Sequence, residues 1–76
     1  MDHTLKTERV GVERKQFQFD LKENERGRFL KITEDVNGRR DTIIIPAPGL
    51  VEFAEILENM IEFDEALEPQ AVEAFD

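Results

Sequence analysis

This sequence of 76 residues contains no cysteine, tryptophan or tyrosine, and it has a single histidine, His3. The absence of cysteine excludes a disulfide framework and a thiolate zinc site, and one histidine cannot form a histidine metal cluster. A single domain of this length has a marginal core, and without disulfides or metals oligomerisation is a common supplement. We therefore expect no metal or other cofactor and a second protein chain that completes the fold.

No apolar run approaches the length that spans a membrane, and no hydrophobic leader precedes the first charged residues. A soluble cytoplasmic protein without a membrane partner is the expectation. The sequence also lacks a glycine-rich phosphate loop, and the acidic run at 23–25 is better interpreted as a hairpin than as a catalytic carboxylate pair. We expect neither an enzyme nor a small-molecule substrate.

Basic residues are missing from the second half of the chain. All ten lysines and arginines lie in residues 1–40 together with eight acids, whereas residues 41–76 contain ten acids. The overall charge of −8 is therefore the sum of +2 in the first half and −10 in the second. A negative protein normally repels phosphate, but this asymmetry leaves a mildly basic half that can receive an anionic ligand.

Two adjacent segments, Lys15 to Lys22 and Arg28 to Val36, have the alternating pattern of strands and are separated by a hairpin at residues 23–27. Successive side chains of a strand point to opposite faces, so the pattern predicts one apolar and one polar face. The apolar face is predicted to carry Phe17, Phe19, Leu21, Leu30 and Ile32. Phe29 and Lys31 are then predicted to lie on the polar face.

Two further strands are predicted, at Leu5 to Val12 and at Asp41 to Ile45. Gly11 predicts a bulge or bend in the first of them. The Asn-Gly pair at 37–38 predicts a tight hairpin before the last strand, where Arg39 and Arg40 are interpreted as a solvated turn in preference to a phosphate clamp. Because residues 43–45 are all isoleucine, both faces of that strand need cover, one from the helix of the same chain and the other from a second subunit.

A helix is predicted from Gly49 to Leu67, after a proline-containing break. Its apolar stripe consists of Leu50, Phe53, Ala54, Leu57, Met60 and Ile61. Three apolar residues lie off this stripe, so the apolar surface is wider than one sheet contact requires, which favours a dimer over a generous core. The predicted domain is a single unit over residues 5–67, with flexible tails at 1–4 and 68–76.

An aromatic ring beside lysine and arginine on a solvated sheet suits single-stranded nucleic acid, since the ring can stack on a base while the cations hold phosphate. Phe29 and Lys31 form such a combination. The alternative, burial of Phe29 beneath a partner subunit or a loop, stays open at this point.

The segments Phe19 to Ile32 and Thr42 to Phe53 closely resemble the PUR repeat of Pur-alpha-type proteins, especially in the run FDLKENERGRFLKI. The resemblance covers about residues 8–65. It implies an α+β fold, a four-stranded antiparallel sheet followed by one α-helix (ββββα), in which two repeats intertwine into a Whirly-like unit. Because this chain has one repeat, it is similar to the short bacterial members of the family, and the resemblance implies a homodimer.

The resemblance also implies a single-stranded DNA- and RNA-binding protein with a preference for purine-rich sequence. The binding surface would be the outer sheet face and its hairpin loops. The matching site residues are Lys22, Asn24, Arg26, Arg28, Phe29 and Lys31. Lysine and arginine would hold phosphate, Phe29 would stack, and Asn24 would either bind a base edge or form the loop.

Two departures from the family pattern weaken the binding prediction: Gln18 and not an aromatic residue follows Phe17 with no aromatic on the first strand, and the proposed surface is rich in acids. Six acids are expected near the proposed surface, which would make binding modest and strongly dependent on salt. They are Glu8, Glu13, Asp20, Glu23, Glu25 and Glu34. The alternative function is a protein-interaction module with the PUR fold, whose acidic helix docks a basic partner.

Overall fold

A computed structural model describes residues 1–67 of the chain. Four antiparallel strands are followed by one helix: β1 is His3–Val12, β2 Lys15–Asn24, β3 Gly27–Val36, β4 Arg39–Pro46, and α1 Leu50–Ala66, entered through a 3-10 turn at Ala47–Gly49. The strands lie in the order β1-β2-β3-β4, each paired with its neighbour in sequence. The predicted ββββα fold is confirmed.

The strand ends differ from the predicted ones because the hairpins are tight. β1 already begins at His3, so His3 and Thr4 belong to the sheet and not to a flexible tail. The register shift in β1 lies between Thr4 and Lys6, and the bulge or bend predicted at Gly11 is wrong, since Gly11 pairs regularly with Gln16. The predicted tail at 68–76 lies outside the residues that the structure describes.

The turns use backbone conformations with positive φ. Asn37 and Gly38 have φ of 53° and 86°, which is the pattern that an Asn-Gly hairpin adopts. Gly27, with φ of 130°, begins β3 directly after the two-residue turn at Glu25 and Arg26. The observed turn has two residues, whereas a five-residue loop was predicted. Glu23 and Arg28 therefore belong to the strands and form a cross-strand pair.

The helix extends away from the sheet of its own chain. Residues 51–67 are all exposed, and no hydrophobic side chain among residues 1–67 is buried. The Cα radius of gyration is 15.0 Å, whereas a compact domain of this length has about 11 Å. The expectation that α1 covers β4 of the same chain is wrong: the turn at Ala47–Gly49 directs the helix outward, and the sheet stays uncovered.

Within residues 1–67 no helix combines the length and the apolarity that are needed to cross a membrane.

Candidate nucleic-acid interface

The register of the strands assigns each side chain to one of two faces, because residues directly opposite each other in an antiparallel pair share a face. Phe19, Ile32 and Ile43 form one cross-strand row. Leu21, Leu30 and Ile45 form the next row on the same side. These rows make up the apolar face that the alternating pattern predicts.

The opposite side is the polar face. Here Lys22, Phe29 and Pro46 form one row, and Asp20, Lys31 and Ile44 form the next. The predicted placement of Phe29 and Lys31 on the polar face is confirmed.

Phe29 contributes to a concave region at the hairpin end of this face, together with two apolar residues of β4, Ile44 and Pro46. Phe29 is half-buried by these neighbours, and its ring lines the concave surface. Sequence reasoning missed Ile44 and Pro46 as members of this surface, although strict alternation along β4 separates Ile44 from Ile43 and Ile45. The three apolar side chains make a platform on which a base can stack.

The two faces differ in their charge. The strands place four cations and two carboxylates on the polar face: Arg9, Lys22, Lys31, Arg40, Asp20 and Asp35. The apolar face carries four cations and four carboxylates: Lys6, Lys15, Arg28, Arg39, Glu8, Glu23, Glu34 and Asp41. The net positive charge of the sheet therefore lies on the polar face.

This arrangement corrects the expectation that six acids surround the binding surface. Glu8, Glu23 and Glu34 belong to the apolar face, because their cross-strand partners are Phe19, Arg28 and Phe17. Glu13 and Glu25 lie in turns, and Glu25 stays near the surface because it shares the hairpin turn with Arg26. Of the six, Asp20 alone lies on a strand of the polar face. Repulsion of phosphate by the polar face is correspondingly smaller than the sequence suggested.

Asp20 is the one buried polar residue among residues 1–67, with 8% of its surface exposed. Thr7 Oγ1 donates to its Oδ1 at 2.5 Å and Gln18 Nε2 donates to its Oδ2 at 3.0 Å. These hydrogen bonds, first from Thr7 and then from Gln18, lower the pKa of Asp20, and Lys22 and Lys31 lower it further. Asp20 is therefore ionised at neutral pH with both oxygens engaged. Its role was not apparent from the sequence, since it requires partners from another strand.

Asn24 shapes the hairpin between β2 and β3. Its Oδ1 accepts a hydrogen bond from the backbone N–H of Arg26 at 2.9 Å, and its Nδ2 donates to Asp2 Oδ1 at 3.4 Å. An asparagine oxygen that binds the backbone two residues later stabilises a turn. Of the two interpretations left open for Asn24, the structure therefore shows the loop-forming one.

The remaining predicted cations fall into two groups. Lys22 and Lys31 form no ion pair with residues 1–67, and Arg26 lines the same concave region as Phe29. Arg28 also contributes to its rim, but alternation places it on the apolar face, where its Nη1 lies 3.6 Å from Glu23 Oε2. Arg28 is therefore separated from Lys22 and Lys31. We call Lys22, Asn24, Arg26, Phe29, Lys31, Ile44 and Pro46 the hairpin site.

No group of three or more metal-ligating side chains lies close together in the part of the chain that the structure describes. The chemistry available at the hairpin site is thus cationic, amide and aromatic. Such groups bind phosphate and stack on bases.

Comparison with known proteins identifies the family of the chain. A sequence profile of the family described as "PurA ssDNA and RNA-binding protein" matches residues 1–73. The chain belongs to this family. The resemblance to PUR repeats that the sequence shows is thereby confirmed.

Several members of the PurA family are similar to the chain. Transcription factor Pur-alpha 1 of Arabidopsis thaliana is 42% identical over 64 residues, which cover 84% of this chain and 22% of the relative. The human transcriptional activator protein Pur-alpha is 42% identical over 65 residues (76% of this chain, 20% of the relative). The human purine-rich element-binding protein gamma is 35% identical over 71 residues, with the same coverage. The chain spans about a fifth of the length of these relatives.

Proposed function

We propose that this protein binds single-stranded DNA or RNA, with a preference for purine-rich sequence, through the polar face of its sheet. The observation that carries the proposal is the hairpin site, where Phe29 lies beside Lys22 and Lys31 and neither lysine is paired within residues 1–67. The stacking surface supplies affinity for bases, and the free ammonium groups supply affinity for phosphate. Membership of the PurA family and the names of the relatives support the nucleic-acid class and the purine preference.

We further propose that the binding species is a homodimer in which each helix packs across the apolar face of the other chain's sheet. The apolar stripe of α1 is exposed, with Leu57 53% and Ile61 54% accessible, and the apolar face of the sheet has no cover within residues 1–67. Exchange of the helices joins these two surfaces and supplies the core that one chain lacks. The polar faces then point outward. The alternative function, a protein-interaction module that binds a basic partner, is distinguished by the experiment below.

The test is fluorescence anisotropy with labelled guanine-rich and pyrimidine-rich oligonucleotides, as DNA and as RNA, across a series of salt concentrations. We expect binding at low salt that is tighter for guanine-rich strands, and a logarithmic salt dependence that reflects a few phosphate contacts. Sedimentation of the same sample should give the mass of two chains. Absence of any binding at low salt would contradict the proposed function, and a nuclease-insensitive complex with a basic protein would favour the alternative.

A double variant locates the interface. Lys22→Ala with Arg26→Ala should weaken binding and reduce the salt slope by about 2, because two phosphate contacts are removed. The matched control, Lys6→Ala with Arg39→Ala, removes two cations from the apolar-face side of the sheet. It should leave the slope unchanged. Equal effects of the two double variants would contradict the assignment of the polar face.

A further inference from the structure

The polar face has a second concave region, between the hairpin site and the opposite end of the sheet. Its lining includes Arg9, Gln18, Asp20, Lys31, Asp35 and Arg40, which we call the central groove. Only Lys31 is shared with the hairpin site. The central groove has two arginines at its two sides, one on β1 and one on β4.

Arg9 is held in place by hydrogen bonds that lead to the buried carboxylate. Arg9 Nε donates to Gln18 Oε1 at 3.0 Å, and Gln18 Nε2 donates to Asp20 Oδ2 at 3.0 Å. A carboxylate only accepts, so the amide nitrogen of Gln18 must face Asp20 and its oxygen must face Arg9. Asp20 therefore fixes the orientation of Gln18, and Gln18 in turn fixes that of Arg9.

Arg40 is also held through its Nε on the other side of the central groove, but by an ion pair with a carboxylate and not by a neutral amide. Its Nε donates to Asp35 Oδ2 at 3.1 Å, while the other oxygen of Asp35 accepts from the backbone N–H of Gly38 at 2.9 Å. The side chain of Arg40 is 73% exposed. In both arginines Nε is occupied, whereas the two terminal nitrogens make no hydrogen bond to residues 1–67.

A guanidinium that is anchored through Nε presents its terminal N–H groups as a preorganised fork for a phosphate. The strands that carry the two arginines, β1 and β4, are three strand spacings apart, about 14 Å, and each guanidinium bonds to a residue of the strand beside its own. The hairpin site lies further along the strands: Lys22 is four residues beyond Gln18 on β2, also about 14 Å. The three positions can contact different nucleotides of one strand.

We infer that the central groove is a second contact region for single-stranded nucleic acid, in which Arg9 and Arg40 bind backbone phosphates and Gln18 acts as a positioning residue for Arg9. This inference rests on the proposed function and extends its footprint from the hairpin site across the whole polar face. It assigns Arg40 the phosphate contact that the sequence disfavoured. The footprint then exceeds the few nucleotides that the hairpin site can hold.

The experiment is anisotropy with guanine-rich DNA oligonucleotides of increasing length, comparing Arg9→Ala, Arg40→Ala and the control Arg39→Ala. Arg39 neighbours Arg40 but belongs to the apolar-face side. With a long oligonucleotide, Arg9→Ala and Arg40→Ala should each weaken binding about tenfold and each reduce the salt slope by about 1. With the shortest oligonucleotide that binds, the two variants should match the wild type, since such a strand occupies the hairpin site alone.

A double-mutant cycle tests the positioning role of Gln18. Gln18→Ala should weaken binding in the wild-type background and add nothing in the Arg9→Ala background, because its effect acts through Arg9. The circular dichroism spectrum and the sedimentation behaviour should be the same in all of these variants as in the wild type. A general structural defect would change both. Independent, additive losses from Gln18→Ala and Arg9→Ala would overturn the positioning role.

One combination of results would overturn the inference about the central groove and leave the proposed function intact. The wild type would bind, the Lys22→Ala with Arg26→Ala variant would bind less, and Arg9→Ala and Arg40→Ala would behave as Arg39→Ala does at every length. A wild type that binds no oligonucleotide at low salt would overturn the inference together with the proposed function.

Discussion

The two faces of this sheet are built from the same strands, yet they carry different balances of positive and negative side chains. On the apolar face cations are matched: Lys15 lies 2.8 Å from Glu34, and Arg28 lies 3.6 Å from Glu23. On the polar face Arg40 pairs with Asp35, but Lys22 and Lys31 have no ion pair within residues 1–67, and the buried Asp20 accepts hydrogen bonds from neutral donors. The comparison teaches that a protein with a net charge of −8 can still offer a locally cationic surface to phosphate.

The largest expected effect is a loss of stability when an aromatic ring is removed from the apolar face. Phe19→Ala should lower the free energy of unfolding of the dimer by about 3–5 kcal/mol, the usual cost of removing a phenyl group from a core. The reason is that the proposed partner helix packs on the row of Phe19, Ile32 and Ile43. Urea denaturation together with sedimentation measures the loss. An unchanged dimer of wild-type stability would show that this face is not the interface.

The matched change on the polar face is Phe29→Ala. It should leave dimerisation intact and weaken oligonucleotide binding by about 1–3 kcal/mol, the range of a base that stacks on an aromatic side chain. Anisotropy and denaturation of the two phenylalanine variants, measured in parallel, separate the roles of the faces. If Phe29→Ala dissociated the dimer, the alternative that a partner buries this ring would be correct.

Removal of single cations compares the contributions of the two faces to phosphate binding. Lys31→Ala should reduce the salt slope of binding by about 1, because the ammonium group of Lys31 is unpaired within residues 1–67. Arg28→Ala should have a smaller effect, since the side chain of Arg28 lies on the opposite face of the sheet from the proposed binding surface. The measurement is the affinity at four or more salt concentrations. A larger slope change for Arg28→Ala than for Lys31→Ala would reverse the assignment.

The smallest effect concerns Asp20 and pH. Its pKa in the folded protein is below the ordinary value of 3.8, so the hydrogen bonds from Thr7 and Gln18 stabilise the fold fully above about pH 4 and less as the pH falls through the folded pKa. Asp20→Asn should be about 1 kcal/mol less stable at pH 7, and the difference from wild type should shrink below pH 4. Urea denaturation between pH 7 and pH 2.5 measures this difference. A difference that stays constant over this range would show that Asp20 is not the group responsible.

Much of the sheet could be predicted because its faces follow from a period of two. The alternation around Phe29 and Lys31 gave their face, and the Asn-Gly pair gave a turn whose residues have φ of 53° and 86°. Arg28 was assigned to the binding surface by its match to the PUR-repeat motif, and the same alternation places its side chain on the face of Leu30 and Ile32. The two-residue turn pairs Arg28 with Glu23.

What could not be predicted depends on contacts between distant segments. Three features require the pairing of β1 with β2. They are the register shift near Leu5, the hydrogen bond from Thr7 to Asp20, and the hydrogen bond that anchors Arg9 to Gln18. The direction of α1 depends on the backbone of the turn at Ala47–Gly49, which an apolar stripe does not encode. An amphipathic helix fits its own sheet and a partner's sheet equally well on sequence grounds.

The most direct test uses the methyl groups of two neighbouring residues, Ile43 and Ile44. In the single chain the two residues are equally accessible, 54% and 53% exposed, but their side chains belong to opposite faces. Methyl NMR of the protein, with a soluble paramagnetic probe and then with a guanine-rich oligonucleotide, reports on each separately. We predict that Ile43 is protected from the probe and unaffected by the oligonucleotide, whereas Ile44 is exposed to the probe and shifts on binding. Equal exposure of both methyl groups, or a shift confined to Ile43, would contradict the account.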